Sequence, residues 1–149
     1  LETKGRGSHV SAFSYEINAM KEKKGNNPDY QMTSSVRDAI LEITMTGEVN
    51  KSGIYQLAAE GAAIIIEKGL RHVLVDIRTL KGRLGIMDTY SFVRTPAERP
   101  KVKFALVDLP ENQDYLNFLE TTAVNAGLSL KYFFDIDTAR AWLKSSNLG

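Results

Sequence analysis

The chain contains no cysteine. Disulfides, thiolate nucleophiles and Cys-ligated zinc or iron–sulfur centres are therefore excluded. It also lacks any run approaching the roughly 18 continuous apolar residues that a membrane span needs. The longest candidate, Ala62-Ala63-Ile64-Ile65-Ile66, stops at Glu67-Lys68-Gly69. Both absences fit a cytoplasmic protein. An excess of charge of one sign is missing too: the formal net charge is +1, which argues against a general nucleic-acid binder. No phosphate-cradling glycine loop, nucleophile elbow or His-Glu-x-x-His zinc helix occurs. Of the two histidines, His72 stands alone at a strand entrance, and a general base needs an orienting partner. No catalytic residue, cofactor or metal is expected.

What is present suits one domain of ordinary size, since 149 residues can bury a single core. Residues 1–29 read as an extension and linker. "LETKGRGSH" has no apolar periodicity and looks like the residue of a cleaved purification tag. Removing it takes away Lys4, Arg6 and Glu2 and leaves no net charge. Val10, Phe13, Ile17 and Met20 then fit a helical stripe, although Phe13, Tyr15 and Ile17 also alternate as a strand would. "KKGNNPDY" is a linker, because Gly, Asn and Pro each break regular structure.

The remainder, 30–147, alternates in period. YQMTSSVR (30–37) and AILEITMT (39–46) are β-rich and pair as a hairpin through a tight turn at Arg37-Asp38. Asn50 or Ser52 caps a helix closed by Gly69, with Ile54, Leu57, Ala58, Gly61 and Ile65 inward. HVLVDI (72–77) is apolar on both faces, as a central parallel strand should be. A helix over about 86–95 carries Tyr90 and Val93 and ends before Pro96. VKFALVDL (102–109) is a strand, and Asp108-Leu-Pro-Glu111 has the pattern of a helix cap. The helix it opens buries Tyr115, Phe118, Leu119, Thr122 and Ala126 and stops at Gly127. LKYFFDI (130–136) and a final helix, 137–143, complete the chain, with Ala139, Trp142 and Leu143 inward. The expected fold is α/β: a mostly parallel sheet of about five strands, an N-terminal hairpin and about four helices.

Chemistry concentrates at the strand ends. Asp76, Asp108 and Asp135 each close a predicted parallel strand, where open α/β sheets bind ligands. Converging there, they would hold Mg²⁺ and assist phosphoryl transfer; as strand–helix junction residues, they would cap helices instead. No adjacent acid pair or strand-end lysine completes a phosphoacceptor site, so capping is the expectation. After Asp76 come Arg78, Lys81 and Arg83, then the free N–H groups of a helix near Leu84-Gly85-Ile86, together an anion-binding arrangement. Asp76, Arg78, Lys81, Arg83 and Asp108 are thus the candidate ligand- or partner-binding set. Charge is also polarised: residues 68–103 hold nine Lys/Arg against Asp76, Asp88 and Glu98, whereas 104–137 hold Lys131 against six acids. Such polarity suits an anionic partner or head-to-tail self-contact.

The order hairpin-α-β-α-β-α-β-α, the strand "LVDIRTLKGRLGIMDTY" and the tail "NAGLSLKYFFDIDTARAWL" resemble the SpoIIAA-like STAS/Sec-fourteen-like domains, the sulfate-transporter and anti-sigma-factor-antagonist module. The resemblance covers about residues 30–145. It is most specific in Leu74-Val75-Asp76-x-Arg78-x-Leu80-x-Gly82 and in Phe134-Asp135 followed by Ala139 and Trp142-Leu143. Members of this branch are mostly small bacterial proteins. The resemblance implies a binding role. In the anti-sigma-factor antagonists a Ser or Thr opening the helix after the central strand is phosphorylated, and the added charge controls partner binding. That place falls here on Leu84-Gly85-Ile86, which has no hydroxyl; Thr79 comes too early and Thr89 too late. The expected function is a non-enzymatic regulatory or protein-interaction module without that switch. A carrier for a small anionic or lipid-like ligand is the alternative, and an Mg-dependent phosphoryl-transfer site comes third. The helix over 51–68 shows a second apolar stripe of Tyr55, Ala59, Ala62, Ala63 and Ile66, which calls for a cover: the segment Val10–Met20 folding back is the expectation, exchanged between the subunits of a homodimer or kept within one chain, and the same surface of a second copy is the alternative.

Overall fold

The structure is a computed structural model describing residues 30–94 and 101–145. The expectations for residues 1–29 and for the helix end at Pro96 lie outside the described residues.

Strands β1 (Tyr30–Arg37) and β2 (Ile40–Glu48) form the antiparallel hairpin. The turn is at Asp38-Ala39, one residue later than the sequence suggests, and both residues take positive φ, 53° and 62°. A two-residue hairpin loop needs that backbone to match the right-handed twist of its strands. Helix α1 (Lys51–Lys68) follows, its first turn capped by Asn50, whose side-chain oxygen accepts from the Gly53 N–H at 2.7 Å. Gly69, at φ 64°, ends it in the left-handed region.

Strand β3 (His72–Lys81) is longer than HVLVDI. Its pairing with β2 continues past Asp76 through a register shift, Ile77 and Arg78 standing opposite the single Met45, so that Thr46–Glu48 pair with Thr79–Lys81. Asp76 therefore lies within the strand rather than closing it. Helix α2 (Ile86–Val93) leads to β4 (Lys103–Val107). A 3-10 turn, Pro110–Asn112, comes before α3 (Gln113–Asn125), so the helix starts later than a cap at Asp108 would place it. Strand β5 (Ser129–Phe133) is shorter than expected at its C-terminal end, because α4 (Ile136–Ser145) claims Ile136.

The sheet order is β1-β2-β3-β4-β5, parallel everywhere except the first pair. Alternation on the strands sorts the core into two layers. Leu41, Ile43, Val73, Val75 and Leu106 face Ile64 and Ile65 of α1 and Leu116 of α3. Ile40, Leu74, Ala105, Val107 and Phe133 face Ala139 and Leu143 of α4. On α1 the buried residues are Gly53, Gly61, Ile64 and Ile65, whereas Ala58 is exposed. On α3, Thr122 is buried as expected and Tyr115, Phe118, Leu119 and Ala126 are half-buried, while Leu116 and Ala123, one position round the helix, are the most deeply buried. Trp142 is half-buried, tilted against Phe133 with ring centroids 5.6 Å apart. Arg140 of α4 also grips Glu42 of β2 with two bonds, 2.8 and 2.9 Å, and this carboxylate holds the guanidinium pKa above its usual value.

Candidate functional site

The C-terminal end of β3 is where the expected binding residues gather, and the fold pairs them with one another. Arg78 closes a local fork on Asp76: its Nε donates to Oδ1 at 3.0 Å, a terminal nitrogen donates to Oδ2 at 3.0 Å, and its backbone N–H donates to Oδ1 at 3.1 Å. The Asp76 carboxylate raises the Arg78 pKa further above its ordinary value.

Arg83 does more. Gly82, at φ 85°, turns the chain so that the Arg83 guanidinium folds back under the strand end. Its Nε and one terminal nitrogen donate to the two oxygens of Asp108 at 3.2 and 2.8 Å. The other donors go to the carbonyls of Ile77 at 3.0 Å, Leu80 at 2.8 Å and Gly82 at 2.8 Å. A guanidinium has five N–H donors, so the chain itself occupies the whole group. Asp108 is fully buried and also accepts from the Leu109 N–H and the Asn112 amide at 2.7 and 3.0 Å. This fork fastens the end of β3 to the end of β4. Lys81 is exposed beside it.

The three aspartates expected to close strands have separate employments. Asp76 holds Arg78, and Asp108 holds Arg83. Asp135 opens α4, accepting from the Thr138 N–H at 2.8 Å and the Thr138 hydroxyl at 2.9 Å. Those two bonds lower its pKa below the usual carboxylate value. Among the described residues no group of three His, Cys, Asp or Glu is placed to hold a metal ion. His72, at the other end of β3, has its pKa lowered by burial and by its neighbours Lys103 and Arg71. Burial lowers the Lys103 pKa as well; its ammonium donates to the Trp142 carbonyl at 2.9 Å and lies 4.2 Å from the centre of the indole.

Beyond Arg83 the chain enters α2, which has Gly85 at its N-cap and no side-chain cap bond. The helix has a sharply divided surface. Thr89 and Val93 are buried. Thr89 is only 1% exposed; its hydroxyl donates to the Leu84 carbonyl at 3.3 Å and lies near the Tyr115 phenol. Burial pushes that phenol up, and the nearby Arg83 and Thr89 partly offset it. Phe92 meets Tyr55 of α1 edge to face, with centroids 4.9 Å apart, and Asp88 pairs with Lys51 at 3.2 Å. The outer face carries Ile86, Met87 and Tyr90, which are 68%, 74% and 49% exposed. Arg94 lies 5.3 Å over the Tyr90 ring. Three large apolar side chains at i, i+1 and i+4 form one face of the helix.

Sequence reasoning missed Ile86 and Met87. The signal was the crowding of Ile86, Met87, Tyr90, Phe92 and Val93 into eight residues, more than one face of a short helix can bury. Arg140–Glu42 was also missed, because 98 residues separate the pair.

Among the described residues no helix is long and apolar enough to cross a membrane. A scan against protein-family models finds no match, and neither does a search of curated proteins. Solved structures do match. An anti-sigma factor antagonist from Mycobacterium paratuberculosis superposes with a TM-score of 0.54 at 12% identity, over 79% of this chain and 97% of that one. A DUF3478-family protein from Shewanella loihica PV-4 gives 0.52 at 16% identity, over 76% and 93%. These likenesses and the hairpin-then-parallel topology agree with the motifs around Asp76 and Trp142: the chain has the STAS/SpoIIAA-like fold.

Proposed function

We propose that this domain is a non-enzymatic regulatory module whose outer α2 face, Ile86, Met87 and Tyr90, docks on a protein partner. The observation carrying the reading is that exposed face. Monomeric surfaces rarely gather large apolar side chains, and Met and Tyr are enriched where partners meet. The structural neighbour described as an anti-sigma factor antagonist supports a protein-binding role through its name. Fold alone does not fix function, so the argument rests on the face itself.

The charged residues at the strand end take a supporting part in this reading. Arg83 and Asp108 brace the loop that positions α2, Asp76 and Arg78 stiffen β3, and Lys81 stands at the rim as a steering charge. The module works without a phosphorylation switch on α2: its N-terminal turn has no hydroxyl, and Thr89 is packed against Leu84 and Tyr115. Full engagement of Arg83 by the chain counts against an anion carrier built on that residue.

A photoreactive phenylalanine analogue placed at Met87, in cells of the source organism, tests the proposal. One defined protein should be cross-linked there, and none from the same analogue at Thr121, which is exposed on α3. Equal labelling from both positions contradicts the proposal. So does a stoichiometric small molecule carried by the purified protein in native mass spectrometry.

A further inference from the structure

The last turn of α4 is fastened to the sheet by two cations, with a histidine between them. Ile40, His72, Lys103 and Ser129 are register partners across β2, β3, β4 and β5. Side chains alternate along a strand, and Ile40, Leu74 and Ala105 face α4. His72 and Lys103 therefore stand side by side on that face, two residues before Leu74 and Ala105. The Lys103 ammonium holds the turn above it, donating to the Trp142 carbonyl at 2.9 Å and lying 4.2 Å from the indole centre. Lys144 pairs with Asp38 of the hairpin turn at 3.1 Å, an exposed and therefore weaker tie. Between these two ties the turn seats Leu143, which is fully buried.

We propose that His72 is a proton-operated release for the C-terminal turn of α4: neutral, it leaves Lys103 on Trp142, and protonated, it displaces that ammonium and lets the turn open while the rest of the domain stays folded.

The charges around His72 carry the argument. Arg71 precedes it, Lys103 flanks it on β4, and Lys131 of β5 lies one position beyond, on the same face. From above, α4 brings Arg140 and Lys144. The acids on the β2 side, Glu42 and Asp38, are taken by those two cations, and Asp137 lies at the other end of α4. An imidazolium at this place meets cations and, among the described residues, no spare carboxylate. The lowered His72 pKa, caused by burial first and then by Lys103 and Arg71, agrees with that count. Such coupling is reciprocal: if Lys103 resists the proton on His72, the protonated ring weakens the hold of Lys103 equally. Lys103 is poised to yield, because burial already disfavours its charge. Helix α4 packs on the other core layer from α1 and α3, so this release is independent of the partner face on α2.

Trp142 is the one tryptophan of the chain, so its emission reports the turn directly. In the full chain that emission should titrate with a midpoint below 6.5, matching the His72 ring proton followed by NMR. From pH 8 to 5, amide hydrogen exchange, corrected for the intrinsic rate, should quicken several times more at residues 143–145 than at Leu116 and Ala123 of α3. His72→Gln should abolish both responses. His72→Lys, a permanent cation, should show the open signals already at pH 8. Emission that does not titrate with His72, or a response that survives His72→Gln, overturns the proposal. Equal quickening in both helices overturns it as well, since the whole domain would then be loosening. Slower exchange at residues 143–145 in acid does the same, because the imidazolium would have tightened the turn.

Discussion

The Arg83 guanidinium and the Asp108 carboxylate meet in a fork of 2.8 and 3.2 Å, joining two strand ends from positions 25 residues apart. The carboxylate is fully buried. Removing one member of a buried pair leaves the other uncompensated, at a cost of about 3–5 kcal/mol, whereas replacing both with apolar residues is often neutral. Arg83→Met should therefore lose about that much in urea unfolding, and Arg83→Met/Asp108→Leu should recover only part of it, because the carbonyls of Ile77, Leu80 and Gly82 and the donors of Leu109 and Asn112 still lose their partners. If the single variant is as stable as the parent chain, the fork does not brace the loop.

The hairpin turn predicts a gain. Ala39 sits at φ 62°, in the left-handed region that costs a residue with a Cβ roughly 1–2 kcal/mol. Ala39→Gly removes that strain and gives back part of it through greater freedom in the unfolded chain. A net stabilisation of about 0.5–1 kcal/mol is expected from the denaturation midpoint. Destabilisation would mean that the Ala39 methyl makes a contact worth more than its strain.

Acid should weaken the fold in two separate windows. His72 has a folded pKa below its unfolded value of 6.5, so the unfolded chain binds the proton more readily. The stability tied to neutral His72 is fully present above 6.5 and is lost as the pH falls through the folded pKa. Asp135 follows the same sign from a lower start: its folded pKa lies below 3.8, so its contribution is present above 3.8 and lost beneath it. Urea midpoints measured from pH 8 to 5 should decline for the parent chain and flatten for His72→Gln. Parallel curves would exclude His72 as the cause.

Much of the fold was legible because it rests on local patterns. Asn50 and Gly69 bracket α1 as their residue types demand, and the apolar run from Val73 to Val75 marks the central strand. What the sequence concealed depends on tertiary pairing. Nothing near Asp76 indicates that β3 takes up an extra residue, Ile77 and Arg78 opposite Met45 alone, and pairs on to Lys81. A reader of the chain assigns Asp108 to a cap, because the arginine that takes it is 25 residues upstream. The same holds for α2, whose apolar residues are visible, while the face left outside is set by Thr89 and Val93 turning inward.

Phosphorylation should leave the loop and the start of this helix alone. With purified protein, ATP and a lysate of the source organism, peptide mapping is expected to find no stoichiometric phosphate between residues 78 and 90. Thr89 is packed inside, and the free N–H groups of α2 follow Gly85 rather than a hydroxyl. Phosphate on Thr79 or Thr89 that altered partner binding would restore a switch and contradict the proposed mode of action.

The docking face on α2 is tested most directly by the affinity for the protein cross-linked at position 87, measured by titration calorimetry for the parent chain and for Met87→Asp. Met87 is 74% exposed, so the substitution should leave the unfolding midpoint in place. Burying a charge where an apolar anchor docked should weaken binding by 2 kcal/mol or more, about 30-fold. Undiminished affinity in a stably folded Met87→Asp protein would place the partner elsewhere and contradict the account.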